Sequence, residues 1–283
     1  MKKTSGQGIH LFDAGELITT GGLLIQAPAL TGAHLQGTSG HESLGGGDGN
    51  DWIEGLGGRD TLLGYGGDDT LDGGVGNDFL FGHSGDDLLE GWAGRDVLYG
   101  QGDNDYMHGY GSHDTLHGGA GNDDLRGGHG KDFLNGNEND DILRGFDGDD
   151  RLYGGDGADT LLGNTDNDIL IGDEGNDRLK GDPGDDTIEG SAGDDSISGG
   201  AGDDFFKYAV GDGNDIIDDF TAGAGTDDVI KLNSFGAAFD TFAEVIAAAF
   251  DDGSDTTIDF GGGDTITLLN ILVADLHEDD FIF

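Results

Sequence analysis

"GGVGNDFLF" runs from Gly73 to Phe81, and the next nine residues, "GHSGDDLLE", keep its layout: glycine first, Asp sixth, an apolar residue eighth. "GWAGRDVLY" follows in the same phase. The beat holds from Gly46 to Lys207, 162 residues or 18 blocks, with no insertion or deletion. The first position is Gly and the sixth Asp in all 18 blocks. The eighth is always apolar, with Met107 the least typical. The fourth is Gly in 14, the exceptions being Asp103, Ser112, Asn139 and Asp166. A fixed internal period of this kind marks a repeat architecture.

Each position has a physical reading. Glycines at positions one, two and four admit a tight turn with φ > 0. Asp and Asn tolerate that region, which leaves Ser112 as the exception to inspect. Residues seven to nine, such as "FLF", read as a short strand whose middle side chain points one way and its neighbours the other. Turn plus strand, with one inward apolar residue per strand, describes a narrow solenoid.

Composition sets the difficulty. The 283 residues include 60 Gly and 2 Pro, and 59 Asp plus Glu stand against 12 Lys plus Arg, a formal charge of -47. Such acidity alone would indicate a disordered chain, but three positions held in phase for 162 residues argue for order. It also excludes a nucleic-acid partner, since phosphates need a basic surface. There is no cysteine, hence no disulfide framework or thiolate metal site. No apolar run is long enough to span a membrane. Asp13 and Glu16 interrupt the start, which speaks against a cleaved secretory signal. One buried apolar residue in nine is a thin core against the entropy of ordering the chain, and a column of carboxylates repels itself. Both problems are relieved by a hard divalent cation. Carboxylates and turn carbonyls are the oxygen donors calcium prefers, and it tolerates flexible geometry better than magnesium.

The pattern resembles the repeats-in-toxin (hemolysin-type) nonapeptide, G-G-x-G-x-D-x-U-x, over Gly46 to Lys207. The resemblance implies an all-β fold: a right-handed parallel β-roll in which two nonapeptides make one coil and the first six residues form the turn. It implies calcium between turns stacked one coil apart, held by turn carbonyls and by the sixth-position carboxylates. Those are Asp51, Asp60, Asp69, Asp78, Asp87, Asp96, Asp105, Asp114, Asp123, Asp132, Asp141, Asp150, Asp159, Asp168, Asp177, Asp186, Asp195 and Asp204. Nine stacked turns on each of two edges leave eight gaps per edge, hence about 16 calcium ions. The departure from the family is position two, Gly in only 6 of 18 blocks, which implies some weaker or distorted sites.

In such a roll, positions seven and nine point outward, odd blocks forming one sheet and even blocks the other. The odd sheet carries 8 charged residues among 18 outward positions, whereas the even sheet shows 10 apolar ones, among them Phe79, Phe81, Val97, Tyr99, Ile169 and Ile171. Apolar patches of this size mark a contact surface. The candidate covers are the chain's own N-terminal segment, its cap, a twin subunit, a protein partner or a lipid surface. Position two collects Leu56, Trp92, Tyr110 and Phe146 on even turns, either a ligand edge or incidental surface aromatics.

Residues 1–45 are expected to cap the first coil, with "GTSGHESLG" (Gly37 to Gly45) a worn block bearing Glu42 and Leu44. Residues 208–283 are expected to form a C-terminal cap. "GDGNDIIDDF" reads as a last degenerate turn, with Asp215 a further candidate ligand. "DTFAEVIAAAF" reads as a short helix capped by Asp240 or Thr241, and "TTIDFGGGDTITLL" as a hairpin. The final "HEDDFIF" resembles the uncleaved signal of substrates of type I secretion systems; the alternative is an ordinary last strand. Secreted calcium modules bind at roughly 10⁻⁴–10⁻³ M, so such a chain stays unfolded in the cell and folds outside.

No zinc-protease H-E-x-x-H, lipase-type G-x-S-x-G or phosphate loop occurs. His108 and His117 fall on opposite sheets, and the nine histidines read as scatter. Three readings remain. The first is a secreted, non-enzymatic calcium-binding structural or interaction protein. The second is a membrane-active secreted protein, and the third an accessory module of a polysaccharide-modifying enzyme.

Overall fold

A computed structural model of the protein describes residues 32–223, 228–233 and 239–283, and upstream of these the strands His10–Leu11, Glu16–Ile18 and Leu24–Gln26. The chain divides into two compact units, residues 1–138 and 139–283. Both are built from parallel strands paired with the strand 18 residues away, about ten solenoid turns in all.

In the first unit, strands of even blocks pair in one sheet: Thr61–Gly66, Phe79–Ser84, Val97–Gly102, Thr115–Ala120 and Phe133–Glu138. Strands of odd blocks pair in the other, for example Thr70–Gly76, Leu88–Ala93, Tyr106–Gly111 and Asp124–His129. The eighth-position residues lie in register and face inward. Leu62, Leu80, Leu98, Leu116 and Leu134 from one sheet, and Ile53, Leu71, Leu89, Met107 and Leu125 from the other, are all fully buried. This ladder is the core of the unit, since side chains at alternate strand positions share a face.

The strands are longer than the sequence pattern suggests. Phe79–Ser84 takes positions seven to nine of one block and one to three of the next. The turn proper is therefore positions four to six. Pairing also begins earlier than Gly46: Leu35 lies opposite Ile53 and Leu44 opposite Leu62, both buried. The worn block is thus a full turn. Expectations for residues 1–31 otherwise fall outside the described side chains.

The second unit repeats the scheme from Ile142–Asp147 through Phe205–Ala209. It then departs from the 18-residue scheme. Asn214–Ile217 pairs with Ser196–Ala201 on one side and Asp264–Leu268 on the other. Asp264–Leu268 turns back antiparallel on Thr256–Gly261, the expected hairpin. The helix Phe242–Ala248 forms as expected, with Thr241 as N-cap. Its side chain does not bond the helix backbone; Thr241 Oγ1 donates instead to Glu244, whose carboxylate also accepts from Asp240 N. Phe281–Ile282 adds a final parallel strand beside Val229–Asn233, so "HEDDFIF" ends in an ordinary edge strand.

The apolar residues facing outward from the even sheet, among them Phe79, Phe81, Tyr99, Ile169 and Ile171, are half-buried rather than buried. Among the described residues no element is laid over them, and their partial burial comes from stacking on the equivalent residue one coil away, as Phe81 does on Tyr99 at 5.1 Å.

Candidate metal sites in the turns

All eighteen sixth-position aspartates lie in turns, and none is more than 3 % exposed. Their position follows from the backbone around them. The strand ends at position three, the chain turns through position four, and position six re-enters the next strand with its side chain folded back into the turn. Position four has φ > 0 in 16 of the 18 blocks, which is where glycine is wanted. Ser112 adopts φ 93 like the glycines it replaces, the strained exception anticipated from the sequence.

Position one corrects the sequence reading. Its glycines do not have positive φ. They are required because the carboxylate occupies the space a side chain would fill: a Cβ on Gly64 would collide with Asp69 Oδ2 and stand 2.8 Å from the Gly82 carbonyl oxygen. A carboxylate oxygen and a carbonyl oxygen from the next coil thus converge on the same point of the turn. Position two keeps the geometry that the sequence reading gave to its glycines. It has φ > 0 in 17 of 18 blocks whatever residue stands there, including Leu56 (φ 69), Trp92 (φ 71), Tyr110 (φ 72) and Phe146 (φ 79). Bulky residues in that region cost of order 1–3 kcal/mol each and persist only where the surroundings over-determine them. Trp92 and Tyr110 gain a stacking contact in return, 4.3 Å between centroids.

The two oxygens of each aspartate have different fates. Oδ1 accepts the backbone N–H of the aspartate one coil earlier: Asp51 N to Asp69 at 2.7 Å, Asp60 N to Asp78 at 2.7 Å, Asp96 N to Asp114 at 2.8 Å, and in the second unit Asp159 N to Asp177 at 2.8 Å. Oδ2 is buried and accepts no hydrogen bond in Asp60, Asp69, Asp78, Asp87, Asp96, Asp105 and Asp114, and again in Asp159, Asp168, Asp177, Asp186 and Asp195. A buried polar atom without a partner costs about 1–3 kcal/mol, more if charged. Burial accordingly pushes these carboxyls above the usual range: Asp60 to about 6, Asp69 and Asp177 to about 7, and Asp105, Asp114 and Asp168 to about 8. The N–H bond to Oδ1 pulls each of them down, and the carboxylates one coil away push them further up.

Asp51 differs. Ala33 N donates to its Oδ1 and Gly47 N to its Oδ2, so both oxygens are served by the protein. Glu42, in the worn block, is likewise served by the N–H and hydroxyl of Thr38. The candidate ligand Asp215 is buried, takes the Asp195 N–H at 3.0 Å and is pushed to about 8 by burial.

The donor set fits calcium. Among the described residues no three carboxylate or imidazole side chains gather at one point. An ion here must draw most of its oxygens from the backbone, which is what the converging turn carbonyls offer and what calcium's six to eight flexible ligands accept.

A second column went unread in the sequence. At position five, Asp and Asn side chains accept the N–H of the residue one coil later: Asp68 from Asp86, Asn77 from Arg95, Asp86 from Asn104, Asn176 from Asp194. His113 does the same through Nδ1 for Lys131 N at 2.6 Å. The available signal was that 13 of the 18 fifth positions are Asp or Asn.

Comparison with known proteins agrees with this geometry. The family described as RTX calcium-binding nonapeptide repeat (4 copies) matches residues 45–80, 72–107, 81–115, 108–143, 144–179 and 180–207. No curated protein matches the sequence. Among solved structures, the extracellular lipase LipA from Serratia marcescens is similar at 17% identity and a TM-score of 0.39, over 75% of this chain and 45% of the lipase chain. The chain therefore spans less than half the length of that lipase. With the repeat matches running over 45–207, more than half of its 283 residues, the chain belongs to the family of RTX calcium-binding nonapeptide-repeat proteins.

Proposed function

We propose that this chain is a secreted, non-enzymatic protein whose repeats fold on binding calcium outside the cell and then serve as a structural or interaction module. The observation that carries this reading is the run of buried, unpartnered Oδ2 atoms from Asp60 to Asp114 and from Asp159 to Asp195. A carboxylate so placed is either neutral or paired with a cation, and a divalent ion shared between adjacent turns answers the burial and the mutual repulsion together.

In this reading the eighteen sixth-position aspartates are the side-chain ligands, with Asp51 the least dependent on metal because backbone N–H groups serve both its oxygens. About 16 ions would bring the formal -47 to about -15. The chain's own residues orient Oδ1 through the inter-coil N–H bonds, leave Oδ2 clear through glycine at position one, and bring carbonyls close by the turn at position four. Calcium, when bound, supplies the positive charge between turns. The weak affinity of extracellular calcium modules keeps the chain unfolded in a low-calcium cytosol and suits export by a type I apparatus. The last residues, "HEDDFIF", serve as the export signal in addition to closing the even sheet.

A calcium titration followed by far-UV circular dichroism, with magnesium as control, tests the reading. Calcium at millimolar concentration should induce a β-spectrum that magnesium does not. A chain fully ordered in excess chelator would sink it. The membrane-active alternative draws on the half-buried apolar face around Phe79, Phe81, Ile169 and Ile171, and calcium-dependent binding to liposomes would favour it.

A further inference from the structure

The outer face of the even sheet in the first unit is organised in rows that run from coil to coil. One row, at position nine, is aromatic. Phe81, Tyr99 and His117 are piled face to face, with centroids 5.1 and 5.0 Å apart and planes within 9°. The adjoining row, at position two, runs Tyr65, His83, Gln101, Gly119, Asn137, one residue per coil. Tyr65 stacks on His83 at 5.3 Å, and His83 Nδ1 meets Gln101 Oε1 at 3.0 Å. At Gly119 the row loses its side chain. The missing rung leaves a groove of about 420 Å³ lined by Tyr99, Gln101, His117, Gly119, Asn137 and Glu138.

The shape and chemistry of this groove are specific. Gln101 and Asn137 stand two coil spacings apart, roughly 9.6 Å, so the slot admits one flat ring in the place of the absent side chain. Its floor is glycine backbone. Rings of Tyr99 and His117 form one wall. Gln101 has its Oε1 engaged by His83 and so offers Nε2 as a donor. Asn137 spends Nδ2 on the Asn135 carbonyl at 3.2 Å and so offers Oδ1 as an acceptor, beside the exposed carboxylate of Glu138. A donor on one side and acceptors on the other, with an apolar aromatic flank, match a group whose hydroxyls both give and accept hydrogen bonds. The formal charge of -47 disfavours an anionic ligand.

We propose that this notch is a binding site for a neutral saccharide, seating one pyranose ring between Gln101 and Asn137 with Tyr99 and His117 alongside it. The site goes beyond the calcium reading and rests on it only for the loaded state of the protein. It supplies the interaction module with a ligand class.

The test is isothermal titration calorimetry of the full chain in calcium, with its β-spectrum checked by circular dichroism, against cellohexaose, laminarihexaose and maltohexaose, and against an acidic hexagalacturonate. Saturable heat with a neutral hexasaccharide is expected. Gln101→Ala should weaken it ~10-fold, equivalent to about 1.4 kcal/mol. Asn137→Gly removes the facing acceptor and should weaken binding by a similar factor; glycine already stands at position two in 6 of the 18 blocks. Both variants should keep the calcium-induced spectrum, so that loss of sugar binding is read separately from loss of folding. Three results would overturn the proposal: no heat from any neutral sugar with the spectrum intact, a preference for the acidic sugar, or full affinity in a folded Asn137→Gly protein.

Discussion

The carboxylates at the ends of the even column and those between them differ in the fate of one oxygen. Glu42, ahead of Asp60 in the first unit, has both oxygens bonded by Thr38. Asp228, after Asp204 in the second, takes the Asp204 N–H at 3.0 Å on Oδ1 and the Thr221 N–H at 2.7 Å on Oδ2. Asp78, Asp96 and Asp114, or Asp168 and Asp186, take one N–H on Oδ1 and leave Oδ2 buried without a partner. The ends are satisfied by protein donors alone, whereas the middle is complete only with something positive added. The same fold therefore contains a self-sufficient part and a conditional part, and the boundary between them is read atom by atom.

The largest effect expected from this contrast is that of metal removal. In chelator, hydrogen exchange should become fast for amides around Asp60 to Asp114 and Asp159 to Asp195, while the hairpin Thr256–Gly261 and Asp264–Leu268, with Ile258, Ile266 and Leu268 buried, stays better protected. Uniform protection with and without calcium would erase the distinction. Next comes substitution. Asp114→Asn keeps an acceptor for Asp96 N but removes the charge, and should raise the calcium concentration at the folding midpoint several-fold. Asp228→Asn places an amide against a backbone donor; it should cost about 1–3 kcal/mol of thermal stability with little change in that midpoint. Equal shifts of the midpoint in both variants would count against the contrast.

A pH titration sharpens it further. Without metal, the central carboxyls have folded-state values of about 6 to 8 against an ordinary 3.8. The folded roll therefore binds protons more tightly than the unfolded chain. That stabilisation is fully present below about pH 4 and is lost as pH rises to about 8. Chelated protein should gain β-structure on acidification from pH 8 to 4, and calcium affinity should fall over the same window. A flat ellipticity in chelator across this range would contradict the assignment. The smallest effect is expected at position five. Asp68→Ala removes the acceptor for Asp86 N and should cost about 0.5–1.5 kcal/mol. Asp68→Asn should be close to neutral, since Asn77 does the same work.

Much of this was legible in the residues. The nine-residue phase gave a solenoid and its inward row from Leu62 to Leu134, because a strict period leaves each position one environment, and the family resemblance implied the two parallel sheets and the place of every sixth-position Asp in a turn. Three features were not. Gly64 and its equivalents read as flexible turn glycines, yet they are there for space, which depends on a carboxylate five residues on. Trp92 and Tyr110 adopt positive φ against their own preference, since the corner of the coil is set by its neighbours rather than by the residue occupying it. The position-five column was hidden because Asp and Asn in turns are equally expected when they touch only water.

The two columns point in opposite directions along the stack: position six reaches for the amide of the preceding coil, position five for that of the following one. A newly wound coil thus presents half of a latch to whichever neighbour comes next. Growth by accretion therefore has no built-in polarity, since a coil added at either end of the stack meets a side-chain acceptor already in place.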